Sequence, residues 1–258
     1  MNAKKSLIIV TYNRESLLKG CLESIDTSLF DKVVVVHDGG GIEYDKATID
    51  IISKNFEYIT FPENVGVAVC KQAGVDYVLT ESDSEHIFIV EDDILVKDNL
   101  VWDYYIDFSK ASGVHHTNWN DYRYSSTKFA VNFDGFTGIV TRDVEASFSY
   151  FNRNMFKFCE FPADMKNAFE HISVELQLIE KDLLPPFWNF VCPKDTGNYL
   201  TNVGFDSTIT DVGDYTDNYS KANAAFIKRH GYGVNKIPDV GQEVVLSRLK
   251  FLKDNYGK

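Results

Sequence analysis

Apolar residues in the first hundred positions arrive in short runs, separated by stretches of helical spacing. Leu7-Ile-Ile-Val10, Val33-Val-Val-Val36, Tyr58-Ile-Thr-Phe61 and Ile87-Phe-Ile-Val90 are such runs. Runs of this length and character predict strands covered on both faces. Between the first two, Leu17, Leu18, Cys21, Leu22 and Ile25 follow the period of an amphipathic helix. Further helices are expected over Lys46 to Asn55 and Val67 to Leu79. Strands alternating with helices through short connections predict an α/β fold with a mostly parallel central sheet flanked by helices.

Beyond residue 100 the pattern changes to an aromatic-rich, less regular one. Phe129-Ala-Val-Asn-Phe133 reads as a strand, and Asp143 to Phe151 as a helix. Phe169 to Leu183 is a stronger helix, with Ile172, Leu176 and Ile179 at core spacing and Pro185-Pro186 ending it. Gly197 to Ser220 is rich in Gly, Asp, Thr and Asn and reads as a mobile loop. Ala222 to His230 reads as a short helix. With no repeat, low-complexity tract or linker, residues 101–258 are expected to complete one domain begun by residues 1–100.

Polar clusters follow the apolar runs. Thr11-Tyr-Asn-Arg14 comes after the first, His37-Asp38-Gly-Gly-Gly41 after the second, and Glu91-Asp92-Asp93 after the fourth. Open α/β sheets bind ligands at the carboxyl ends of their strands. Consecutive carboxylates repel one another and resist burial. A divalent cation is one answer to that repulsion, and a solvated acidic turn is another. Carboxylate ligands, rather than Cys or His, favour Mg²⁺ or Mn²⁺ and phosphate chemistry.

Composition narrows the classes. The chain has 258 residues, 44% of them hydrophobic, enough for one sizeable core. Its net charge of −12 disfavours extended contact with DNA, RNA or anionic membrane, though a local basic groove remains compatible with it. Cys21, Cys70, Cys159 and Cys192 show no C-x-x-C spacing, which argues against a zinc or dithiol motif. Cys21 and Cys70 fall in helical patterns and read as buried free thiols. No apolar run matches a membrane span. The apolar stretch after Lys4-Lys5 stops at Thr11, short for a signal-peptide core, so a cytoplasmic location is expected.

Four segments, in order, resemble the GT-A class of nucleotide-sugar glycosyltransferases. Ile8-Ile-Val-Thr-Tyr-Asn-Arg14 looks like the family's opening strand and nucleotide loop. Val33-Val-Val-Val-His-Asp-Gly-Gly40 looks like its second strand with a terminal aspartate. Asn64-Val-Gly-Val-Ala-Val-Cys-Lys-Gln-Ala-Gly74 is similar to the family-2 pattern N-x-G-x-A-x-A-R-N-x-G, with Lys71 for Arg and Gln72 for Asn. Ile87-Phe-Ile-Val-Glu-Asp-Asp93 is similar to the strand that ends in the D-x-D motif, in a Glu-Asp-Asp form like that of N-acetylglucosaminyltransferase I relatives. The likeness is good over the first hundred residues and loose over the rest.

The resemblance implies a Rossmann-like GT-A domain with an irregular acceptor-side half. It implies a metal-dependent, inverting transfer of a sugar from a UDP-sugar to an acceptor hydroxyl, as in glycan or polysaccharide synthesis. Asp93 is then the direct Mn²⁺ or Mg²⁺ ligand, and Glu91 acts through metal-bound water or the donor ribose. Asp92 contacts sugar or ribose, or is a surface carboxylate. Asp38 accepts a hydrogen bond from the pyrimidine imide, or makes an Asx turn with the glycines after it. Thr11, Tyr12, Asn13 and Arg14 surround the base, with Thr11 alternatively a helix N-cap. Lys71 meets phosphate or ribose, or is an ordinary helix lysine.

Inverting relatives carry an acidic pair at the start of a helix, the second member serving as base. Here the matching residues are Glu170 and His171; Glu170 is read as the base and His171 as its rival, unless the two form only the charged first turn of a helix. Gly135 and Phe136, in Gly135-Phe-Thr-Gly138, are expected beneath the donor sugar and acceptor, unless they form a plain hairpin turn. Trp119, Asn120 and Asp121 are expected on the acceptor side, unless Trp119 is core. Thr201 to Thr208 resembles a late loop that closes over the donor. His230 is either a late metal or diphosphate ligand or a structural residue. Two alternative functions stay open: a non-catalytic nucleotide-sugar-binding module, which the His171 substitution suggests, and a phage-type enzyme acting on hydroxymethylated DNA bases.

Overall fold

Strand β1 (Lys5–Thr11) lies between β2 (Lys32–His37) and β4 (His86–Glu91) and runs parallel to both. The computed structural model describes residues 3–39, 44–119, 127–142, 146–166, 168–186, 189–204, 215–236 and 239–257. Among these, the central sheet has the order β3-β2-β1-β4-β9-β6, where β3 is Glu57–Thr60, β6 is His116–Asn118 and β9 is Phe148–Asn152. Strands β1 to β4 are mutually parallel, while β9 runs antiparallel to both β4 and β6.

The unbroken apolar runs are explained by two cores. Alternate residues of a strand face opposite sides of the sheet. Ile8, Val10, Val34, Val36, Ile87 and Ile89 pack on one side with Ala68, Cys70, Val75 and Val78 of helix α3 (Val67–Glu81). Leu7, Ile9, Val33, Val35, Phe88 and Val90 pack on the other. There they meet α1 (Glu15–Ser24), α2 (Lys46–Asn55) and α4 (Val101–Ser112), through Leu18, Ile52, Trp102 and Tyr105 among others. All four cysteines are buried and free.

The second half completes the same sheet and departs from the sequence reading in places. The helix expected over Asp143 to Phe151 is instead β9, with residues 143–145 outside the described set. Phe148 and Tyr150 join one core and Phe151 the other, a period-two burial that a strand satisfies and a helix does not. Helix α4 ends at Gly113, whose φ of 71° makes it a left-handed cap. A hairpin of β7 (Thr127–Phe133) and β8 (Phe136–Thr141), extended by β10 (Phe190–Pro193), forms a three-stranded antiparallel sheet. Helix α5 is Glu170–Ile179, and the chain leaves it at Asp182, φ 62°, ahead of Pro185. The segment read as a loop contributes β11 (Leu200–Asn202), paired antiparallel with β5 (Ile94–Val96). Helix α6 (Tyr215–His230) begins earlier than expected, and α7 (Gln242–Tyr256) packs against α4.

Strand register sets the functional rim. Thr11 pairs with His37, and Val10 with Glu91, so the three polar clusters begin at one level. Strand order reverses between β1 and β4, the kind of position at whose carboxyl ends open α/β sheets bind ligands.

Candidate active site

The carboxylates after β4 divide by depth. Asp92 has a fully buried side chain, and Asp93 is 8% exposed. Asp92 accepts a hydrogen bond from Thr11 Oγ1 at 2.6 Å and pairs with Arg14 Nη2. The other arm of the same guanidinium, Nη1, is 3.1 Å from Asp93 Oδ2. Arg14 occupies the N-cap position of α1 and follows Asn13, whose φ of 55° turns the chain back over the strand end. Burial pushes the Asp92 carboxyl up to about 7, against the pull of Arg14 and Thr11. Burial, followed by the charge of Glu91, pushes Asp93 up to about 6, again opposed by Arg14.

Glu91 faces a different cation. Lys71, on α3, is buried with 1% side-chain exposure. Its ammonium donates to Glu91 Oε1 at 2.9 Å, Glu170 Oε1 at 3.1 Å and the Ala146 carbonyl at 3.3 Å. An ammonium has three protons, so each finds an acceptor. Burial alone lowers the Lys71 pKa, but Glu91 and Glu170 outweigh it and hold the ammonium charged. His171 Nδ1 lies 3.4 Å from the same Glu170 oxygen. Burial disfavours the Glu170 anion, yet Lys71 and then His171 hold that carboxyl below the ordinary carboxylate range.

Two backbone segments close the site. Asp38 receives the N–H groups of Val65 at 2.6 Å and Gly66 at 3.0 Å, which ties the end of β2 to the loop before α3. Gly66 has φ 92°, and a Cβ there would strike Lys166 at 2.3 Å, so glycine is required twice over. On the opposite side, Val203 N–H donates to the Asp93 carbonyl at 2.9 Å. Gly204 then passes so close that an added Cβ would meet Asp93 Oδ2 at 2.4 Å. The rest of the late loop expected over the donor, residues 205–208, lies outside the described residues.

The donor set suits a diphosphate-bound Mg²⁺ or Mn²⁺. Asp93 Oδ1 is buried and has no partner among the described residues, whereas Oδ2 is engaged by Arg14. Among the described residues no three His, Cys, Asp or Glu side chains form an all-protein metal cage. A cation shared with substrate phosphates takes only one or two protein carboxylates, with water and phosphate oxygens supplying the rest.

A sequence profile of glycosyl transferase family 2 matches residues 6–155, from β1 through β9. The chain belongs to glycosyl transferase family 2. Residues 1–349 of S. aureus TarS share the fold, with a TM-score of 0.53 over 98% of this chain and 73% of that one, at 14% identity. A longer S. aureus TarS structure gives a TM-score of 0.54 over 99% of this chain at 14% identity, and there the present chain spans 44% of its length. The shared architecture is the GT-A fold: a mostly parallel sheet flanked by helices. No curated protein matches the sequence.

The structure brings Arg14, Asp38, Glu91, Asp93, Glu170 and His171 together with the buried Lys71 around the ends of β1, β2 and β4. Tyr12 and Asn13 flank it, partly exposed. Thr11 lies beneath, 1% exposed and bonded to Asp92 and to the Tyr44 hydroxyl; it does not cap α1. Asp92 is not a surface carboxylate: its side chain is fully buried, with Oδ2 accepting from Thr11 and Oδ1 paired with the Arg14 guanidinium. Lys71 is not a solvated helix lysine. Gly135, with φ 96°, makes the β7–β8 turn with Asp134, which Lys253 of α7 holds at 2.7 Å. Phe136 makes a tilted ring contact with Tyr104 of α4, so this pair forms a hairpin turn packed on the α4–α7 side. Trp119 is 2% exposed and belongs to the same core cluster as Trp102 and Phe148. Asn120 and Asp121 lie outside the described residues. His230 meets Ser173 Oγ at 2.9 Å and the Phe226 ring, a structural setting. Sequence reasoning missed Tyr44, whose ring stacks on His37 at 4.3 Å, because no local pattern links residue 44 to the strand ends.

Proposed function

We propose that the protein transfers a sugar from a UDP-sugar donor to an acceptor hydroxyl in a single displacement, with Mn²⁺ or Mg²⁺ held by Asp93 and supported by Glu91. The observation that carries this reading is the buried Asp93 Oδ1 just beyond the carboxyl end of β4, which has no partner among the described residues. An orphaned carboxylate oxygen in a buried setting is costly unless a ligand completes it.

A Mn²⁺ or Mg²⁺ held by Asp93 would supply positive charge against that growing on the diphosphate leaving group. Everything else is the work of the chain. Thr11 fixes Asp92, Asp92 fixes Arg14, and Arg14 orients Asp93 by one oxygen while the other stays available. Asp38 carries two backbone N–H groups, and its oxygens retain acceptor capacity for the imide N–H of a pyrimidine. The Val203-Gly204 backbone covers Asp93 and excludes water on that side. The first turn of α5 supplies the base, Glu170 or His171, that accepts the proton of the acceptor hydroxyl. A base of this kind suits direct displacement with inversion.

Incubating the protein with Mn²⁺ and a panel of UDP-sugars, with and without hydroxyl acceptors, tests the reading through UDP release. Release that depends on the metal and on Asp93 is the expected result. No release across the panel overturns it.

A further inference from the structure

We infer that His171 is the catalytic base, and that Glu170 and Lys71 are positioning residues that orient it and lock it to the donor end of the site. The inference rests on the transferase reading above and decides between the two base candidates of α5.

Access and connectivity separate the two. Glu170 is 5% exposed, and its Oε1 already faces both the Lys71 ammonium and His171. With Oε1 engaged and the side chain this buried, Glu170 has less access to an acceptor hydroxyl than His171 does. His171 is 22% exposed, although its Nδ1 is buried against Glu170. Its exposure therefore lies on the rest of the side chain. The contact of Nδ1 with Glu170 at 3.4 Å is longer than a hydrogen bond. Catalytic contacts are commonly long before substrate binds and tighten afterwards. A proton on Nδ1, the nitrogen nearer Glu170, leaves Nε2 as the basic nitrogen.

The arrangement follows the logic of a base oriented by a third group. It adds one member, because Lys71 holds Glu170 on one side and Glu91 on the other. The same ammonium thus connects the carboxylate beside the proposed metal ligand to the carboxylate behind the base. Basicity points the same way. Glu170 is held well below the ordinary carboxylate range, chiefly by Lys71 against the opposing effect of burial, so it is a weak proton acceptor. The charged group facing His171 among the described residues is Glu170.

In the transfer step the acceptor oxygen forms a bond to the anomeric carbon. The bond from that carbon to the diphosphate oxygen breaks, and its electron pair leaves with UDP. The hydroxyl proton passes to His171 Nε2 and later to solvent. No oxidant, reductant or further reactant is required.

The test compares wild type, His171→Ala, His171→Asp and Glu170→Gln for Mn²⁺-dependent UDP binding and for turnover of the UDP-sugar that wild type uses, with water or an added alcohol as acceptor. His171→Ala is expected to keep UDP affinity and the donor KM while losing about 10²–10⁴-fold in kcat, the usual contribution of a general base. Added imidazole is expected to restore part of that loss. His171→Asp is expected to retain turnover with the acidic limb of its pH profile moved to lower pH. Glu170→Gln is expected to lower kcat less than His171→Ala does. Independently of activity, ¹⁵N NMR of the imidazole is expected to show the Nδ1–H tautomer in wild type and a mixture in Glu170→Gln. Undiminished turnover in His171→Ala, or an Nε2–H tautomer in wild type, overturns the assignment of the base alone. A wild type that binds UDP but turns over no donor overturns the transferase reading, and this one with it.

Discussion

The ammonium of Lys71 lies 3.1 Å from Glu170 Oε1, joining α3 to α5 across 99 residues of sequence. Both side chains are almost wholly buried, and the same ammonium holds Glu91 at 2.9 Å. Removing one member of a buried ion pair leaves the other charge without compensation, at a cost of about 3–5 kcal/mol. Glu91 keeps a quarter of its side-chain exposure, which shields part of the effect. Lys71→Met is therefore expected to destabilise the fold by about 3 kcal/mol, at the lower end of that range. Urea unfolding followed by circular dichroism measures it, and a loss below half of that value contradicts the triad.

The same pair gives acid sensitivity a direction. The Glu170 carboxyl has an ordinary value of 4.5 and is held below it in the fold, by Lys71 and His171 against the effect of burial. A carboxyl depressed in this way stabilises the fold at pH above its unfolded value. That contribution drains away as pH falls through 4.5 toward the folded value. The melting temperature of wild type is expected to fall more steeply between about pH 6 and about pH 3 than that of Glu170→Gln. Parallel curves contradict the depressed carboxyl.

Gly204 is expected to be intolerant of any side chain. An added Cβ would sit 2.4 Å from both Cβ and Oδ2 of Asp93, so one of the two segments must move. Residues that orient a metal-binding side chain typically change metal affinity by about 10–100-fold when altered. Gly204→Ala is expected to weaken Mn²⁺-dependent UDP binding at least about tenfold, as measured by isothermal titration calorimetry. Its fold is expected to persist, since β11 and β5 pair at the residues before it. Unchanged affinity contradicts the close approach.

Much of the first half was legible in the sequence because its strands are covered on both faces. Ile8 and Ile9 serve opposite cores, so the run containing them has no polar interruption. The second half was less legible for identifiable reasons. Phe148 and Phe151 are spaced as a helix spaces its core residues, yet they bury on opposite faces of a strand. In α7 the buried residues Val245, Leu249 and Leu252 keep helical spacing, but exposed Val244, Leu246 and Phe251 blur the stripe. The site shows the same division. Strand ends announced Arg14, Asp38 and the carboxylates, since topology alone gathers them. Nothing local announced that Asp92 faces inward to Thr11, or that Lys71 is satisfied by two glutamates, because those partners meet only in the folded chain.

Asp93 carries the central claim, and calorimetric titration of UDP with and without Mn²⁺ tests it most directly, with wild type compared to the isosteric Asp93→Asn. The account predicts that Mn²⁺ tightens UDP binding in wild type, and that Asp93→Asn forfeits at least about tenfold of the metal-dependent affinity, or about 1.4 kcal/mol. UDP affinity that is the same with and without Mn²⁺, and the same in Asp93→Asn, contradicts it.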